Sequence, residues 1–76
     1  MAIKVKFFAS VRDEVGAGEI DIEPVPQARV RDVWAGATGR PLDPHVLVAI
    51  NQSYASQDDP VADGDEVAFF PPVTGG

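Results

Sequence analysis

The sequence predicts an α+β domain in which one helix lies over one face of a sheet. Three observations predict it. Both ends of the chain alternate with a period of two, in IKVKFFA at 3–9 and EVAFF at 66–70. A single segment, 28–38, carries an apolar stripe at helical spacing. And 76 residues supply one domain with a small core, since a chain of this size buries only roughly 60% of its unfolded surface.

In IKVKFFA, Ile3, Val5, Phe7 and Ala9 point one way and Lys4, Lys6 and Phe8 the other, as in a strand with one buried face. SVRDEVG then predicts a short helical turn. Ser10 is placed to cap it, Asp13 approximates a capping box, Val11 and Val15 share a face, and Gly16 ends it. GEIDIE at 18–23 alternates again, with Ile20 and Ile22 inward, and suggests an antiparallel partner for the first strand. PVPQ at 24–27 breaks the pattern.

The helix at 28–38 gathers Ala28, Val30, Val33, Trp34 and Ala37, and Gly39 and Pro41 stop it. Trp34 sits at helical spacing among valines, so it is expected in the core rather than against a ligand. HVLVAIN at 45–51 is β-branched and nearly continuous, hence a strand. Asn51-Gln52 turns the chain into a short strand around 53–56, and DDP and ADGD are turns. In the last strand Val67 and Phe69 share one face; Glu66, Ala68 and Phe70 share the other.

The formal net charge is −6 and unevenly placed. Residues 1–40 hold all six bases against six acids, whereas 41–76 hold six acids and no base. An acidic surface argues against nucleic acid and suits either solubility or steering toward a basic protein partner. The chain has no cysteine, which excludes disulfides, thiolate zinc sites and a thiol nucleophile. The apolar run VLVAI is too short to span a membrane. With no apolar leader, a cytoplasmic protein is expected.

Catalytic signatures are missing. His45, beside Pro44, lacks the companions of a triad or metal site. Asp58-Asp59 and Asp65-Glu66 fall in turns, where adjacent acids face solvent. No metal site is expected. The terminus is different. In FFPPVTGG, Pro71 and Pro72 lack backbone donors and end sheet pairing. Val73, Thr74, Gly75 and Gly76 then predict a thin flexible tail beyond a domain at 1–72. Extended, four residues reach roughly 13 Å. A terminal glycine carboxylate is open to approach from many directions but is a poor electrophile until a partner activates it. At the base of that tail, Phe8 and Phe70 share the face opposite the core, either as a partner patch or under a loop or Tyr54.

IKVKFFASVRDEVG and ADGDEVAFFPPVTGG, and above all GDEVAFFPPVTGG, resemble the small subunit of molybdopterin synthase, the MoaD family. The resemblance spans nearly the whole chain. It implies the β-grasp fold of ubiquitin: a mixed sheet of four to five strands, terminal strands central and parallel, with one main helix on one face. It implies that Gly76 is adenylated by an E1-like, MoeB-like enzyme using ATP and converted to a thiocarboxylate with a sulfur donor protein. The tail then enters a MoaE-like large subunit, where sulfur passes to the cyclic pyranopterin precursor. No tightly bound cofactor is implied. Phe8 and Phe70 match family positions in the hydrophobic partner interface; Tyr54 stands where the family often has an aliphatic residue. Gly-Gly alone also fits a ThiS-type thiamin sulfur carrier or a ubiquitin-like protein modifier. A plain binding module with an incidental tail is the third class of reading.

Overall fold

The computed structural model describes residues 2–72. Five strands form one sheet: β1 (Ile3–Phe7), β2 (Glu19–Ile22), β3 (Leu47–Ile50), β4 (Ser53–Ala55) and β5 (Glu66–Phe70). Their spatial order is β2-β1-β5-β3-β4. β1 and β5 lie side by side in the middle and run parallel, with Val5 opposite Val67 and Phe7 opposite Phe69. β2 pairs antiparallel with β1, and β3 pairs antiparallel with both β5 and β4. This is the β-grasp arrangement. A parallel central pair cannot be joined by a tight turn, and here nearly the whole chain intervenes.

The helix α2 (Val30–Thr38) covers one face and buries Val30, Val33 and Trp34. Its stripe meets Ile3, Val5, Phe7, Val67 and Phe69, all buried, so the alternation at both chain ends becomes one core layer. Trp34 packs edge-on against Phe7 and Phe69, with centroids at 5.8 and 4.8 Å. Its indole N–H is buried without a partner. The tryptophan is thus core, as its spacing predicted, and gives up one hydrogen bond for shape.

Local details depart from the sequence expectations at the helix starts. The turn at SVRDEVG is a seven-residue helix, α1 (Ala9–Val15), and Phe8 rather than Ser10 stands at its N-cap. No capping box forms there. Phe8 still donates its N–H to the Phe69 carbonyl at 3.0 Å, so the strand pairing runs on until Ala9 turns the chain at φ 52°. Gly16 ends α1 in the left-handed region, as expected. α2 begins two residues later than the apolar stripe. Ala28 is buried in extended chain and accepts from the Val61 N–H. Arg29 becomes the cap, its N–H donating to Asp32 Oδ2 at 2.9 Å.

The strand expected over 45–51 shortens to Leu47–Ile50 because Asp43–Val46 closes a turn, with the Val46 N–H on the Asp43 carbonyl. Asn51 and Gln52 both adopt positive φ, 50° and 71°, the twist that matches a two-residue hairpin.

Candidate functional site

The two faces of the sheet have different fates. Core side chains occupy the face under α2. On the other, β1 contributes Lys4 and Lys6, β5 contributes Glu66, Ala68 and Phe70, β3 contributes Leu47 and Ala49, and β4 contributes Tyr54. No helix among the described residues covers this face.

It is divided along its width. Toward β2 it is laced with charge: Lys4 meets Glu19 at 3.7 Å and Lys6 meets Glu66 at 3.2 Å. Toward β4 it is apolar. Phe70 lies opposite Leu47, Ala68 opposite Ala49, and Ala49 opposite Tyr54. The Tyr54 and Phe70 rings meet at 5.9 Å, tilted by 53°. The β1–β5 register, continued one residue, sets Phe8 across from Phe70. Phe8 is 48% exposed and Tyr54 80% exposed, while Phe70 is half-buried. An apolar face that carries exposed Phe8 and Tyr54 with half-buried Phe70 has the composition of a partner interface.

The patch sits where the described chain ends. β5 finishes at Phe70, and Pro71 and Pro72 follow in irregular conformation. The four tail positions expected to carry the chemistry, Val73, Thr74, Gly75 and Gly76, lie outside the described residues. Phe8, Phe70 and Tyr54 are brought to one face. Tyr54 lies on Phe70 without closing it off.

Leu47, Ala49 and Ala68 complete the patch. Ala68 was already placed on this face by alternation. Leu47 and Ala49 were hidden in HVLVAIN, because a nearly continuous apolar run does not show that one of its faces is left open.

Two of the six acids in residues 41–76 meet bases from residues 1–40. Asp58 pairs with Arg31 and accepts at its carbonyl from Arg29 Nη1 at 2.7 Å; Glu66 pairs with Lys6. Asp65 ties the β3–β4 turn to the approach of β5, accepting from Asn51 Nδ2 at 3.1 Å and from the Ala62 N–H at 2.8 Å. His45 is exposed and donates its backbone N–H to Asp43 Oδ1 at 2.8 Å. That bond, reinforced by the imidazole 3.2 Å away, holds the Asp43 carboxyl below its ordinary value. Together with the Val46 N–H on the Asp43 carbonyl, the pair closes the turn that leads into β3. No helix among the described residues is long and apolar enough to cross a membrane.

Residues 5–76 match the ThiS family. The chain is 47% identical to the molybdopterin synthase sulfur carrier subunit of Escherichia coli (strain K12), over 97% of this chain and 99% of that one. It is 35% identical to small archaeal modifier protein 3 of Haloferax volcanii, over the full length of both. Among solved structures, the putative molybdopterin converting factor, subunit 1, from Pyrococcus furiosus superposes with a TM-score of 0.77 at 36% identity, over 96% of this chain and 99% of that one. The fold is thus ubiquitin-like β-grasp, and the chain belongs to the ThiS family.

Proposed function

We propose that this protein is the sulfur carrier and small subunit of a molybdopterin synthase, with Gly76 as its reactive terminus. The observation that supports it most is the continuity of β5 with the apolar patch and the tail. A partner that grips Phe8, Tyr54 and Phe70 holds the base of Pro71–Gly76, and so aims the terminal carboxylate into its own active site. The similarity to a named sulfur carrier subunit over nearly its whole length supports the same reading.

In this role the chain supplies an acyl group and a docking surface. A carboxylate oxygen of Gly76 attacks the α-phosphorus of ATP on an E1-like, MoeB-like enzyme. Pyrophosphate leaves and an acyl-adenylate remains. Sulfide released by a donor protein attacks the acyl carbon; the C–S bond forms, the acyl–phosphate C–O bond breaks, AMP leaves with a proton released, and a thiocarboxylate remains. In the large subunit, of MoaE type, that sulfur passes to the pyranopterin precursor, and water returns the carboxylate. Gly75 and Gly76 keep the tip narrow, and Val73 and Thr74 span the entry. With no cysteine in the chain, the attacking sulfur comes from outside. The setting is cytoplasmic.

Incubation with an activating enzyme, ATP and a sulfur source tests this by intact mass. One oxygen of the protein exchanged for sulfur is the expected result. An unchanged mass beside an enzyme active on its own carrier refutes the proposal. Removing Gly76 abolishes loading and leaves the melting curve as it was.

The similarity to a small archaeal modifier favours one second reading, in which an amine replaces sulfur as the nucleophile. It expects conjugates through lysine isopeptides that survive boiling and reductant. Thiocarboxylate without conjugates decides for the carrier.

A further inference from the structure

A groove of about 210 Å³ runs between β2 and α2, on the far side of the sheet from the tail patch. Ile22, Val25, Val33 and Gly36 line it, together with the exposed acids Glu23 and Asp32. Val25 is 60% exposed, a large apolar side chain left open beside an apolar trough. The volume falls below the roughly 300–1,000 Å³ of sites that enclose drug-sized ligands. It suits a few side chains of a longer molecule.

The neighbouring backbone is open as well. β2 forms one edge of the sheet. The Phe7 N–H donates to the Gly18 carbonyl at 3.0 Å, and Val5 and Ile3 lie opposite Ile20 and Ile22. Bonded pairs recur at every second residue of an antiparallel ladder. Gly18, Ile20 and Ile22 therefore turn their backbone groups to β1, and Glu19 and Asp21 turn theirs outward. No strand among the described residues pairs with that edge, and such a row of free donors and acceptors is a template for another strand.

Two features name the occupant. Glu19, Asp21 and Glu23 make the edge acidic, with Lys4 the one base among the described residues paired to it. A second copy would set like charge against like across the new ladder, so self-pairing is disfavoured. A basic strand is favoured for the same reason. Gly36 supplies the second feature. A glycine inside a helix costs up to about 1 kcal/mol relative to alanine. A Cβ added there would meet nothing within 4 Å, so core packing does not require the glycine. Its missing side chain keeps the groove open.

We propose that β2 and this groove bind an extended basic segment of another protein. The segment adds as a sixth strand. Its alternate apolar side chains enter the groove, and the lysines or arginines between them lie on the opposite face against Glu19 and Asp21. The site is separate from the tail patch, so both can be occupied at once.

The test is an NMR titration of the ¹⁵N-labelled full chain with the alternating heptapeptide KVKVKVK, and with EVEVEVE as its charge-reversed counterpart. Saturable shifts centred on Glu19, Asp21, Val25 and Gly36 with the basic peptide alone are expected. Affinity should fall about tenfold or more in Gly36→Leu, which fills the groove while favouring the helix. It should also fall as salt screens the charges. Glu19→Lys with Asp21→Lys should switch preference to the acidic peptide. The proposal is overturned by an absence of saturable shifts at millimolar peptide, by shifts centred on Phe8 and Phe70, or by unchanged affinity in folded Gly36→Leu.

Discussion

Phe69 and Phe70 are adjacent in the chain and opposite in role, so truncating each separates the core from the docking face. Phe69 is 0% exposed, stacked on Phe7 at 6.0 Å and edge-on to Trp34 at 4.8 Å. Phe69→Ala empties the middle of the core, a change that costs about 3–5 kcal/mol. A chain of 76 residues has roughly 4–11 kcal/mol in total at about 0.05–0.15 kcal/mol per residue. The variant should be barely folded. Phe70 is half-buried and its one aromatic neighbour is Tyr54. Full burial of a phenylalanine contributes about 1.5–3 kcal/mol, so Phe70→Ala should cost about 1 kcal/mol. In a domain of this size that lowers Tm by about 4–8 °C, against at least about 12 °C for Phe69→Ala. Binding should reverse the order of importance. A central aromatic anchor is worth about 2 kcal/mol or more, roughly thirtyfold in Kd for a large-subunit partner. Thermal melts by circular dichroism and calorimetric titration of folded Phe70→Ala measure both. Equal losses of Tm would refute the assignment of faces. Unchanged affinity in Phe70→Ala would refute the patch as the docking surface.

Gln52→Gly removes a side chain from a position held at φ 71°; it should stabilise the β3–β4 hairpin by roughly 0.5–1 kcal/mol, visible as a higher Tm, and a lower Tm would argue against the two-residue turn. The Asp43 carboxyl should titrate below its ordinary 3.8 in a carbon-detected NMR titration, chiefly because it accepts the His45 N–H. A depressed carboxyl pKa contributes stability that is present above the unfolded value and lost as pH falls through the folded one. The small Tm difference between wild type and Asp43→Ala should therefore be present at pH 6 and vanish near pH 2; a difference growing toward acid would reverse the sign and the explanation.

The period-2 stretches carried the most information because each strand they encode has one covered face. In IKVKFFA and EVAFF, that alone fixes which residues meet α2 and which face away, so the Phe8–Phe70 side of the site follows from spacing. What spacing does not encode is adjacency. Nothing in the periodicity of residues 3–9 and 66–70 says that they pair, or in parallel. That rests on the whole chain between them folding over, and resemblance rather than pattern supplied it. Helix starts were misplaced for a related reason. Ser10 has the chemistry of a cap, yet Phe8 remains bonded to Phe69, so the helix starts where the sheet releases the chain.

Charge was the least transferable feature. Counting along the sequence put every uncompensated acid in residues 41–76, as though the approach to the tail were an acidic surface. Folding brings Arg31 to Asp58 and Lys6 to Glu66, because β1 and α2, from the basic half, pack beside segments of the acidic half. The net charge is conserved, but its distribution is not. The acids of β2 and Glu23 just after it belong to the half that sums to zero, yet they line one edge with Lys4 as their one paired base among the described residues. A linear charge count passes over that edge, and it takes a sheet order to find it. The patch at the tail shows the converse. Its apolar members come from both halves of the chain and gather on the β4 side of the sheet, away from the Lys4–Glu19 and Lys6–Glu66 pairs and beside Phe70, where β5 ends.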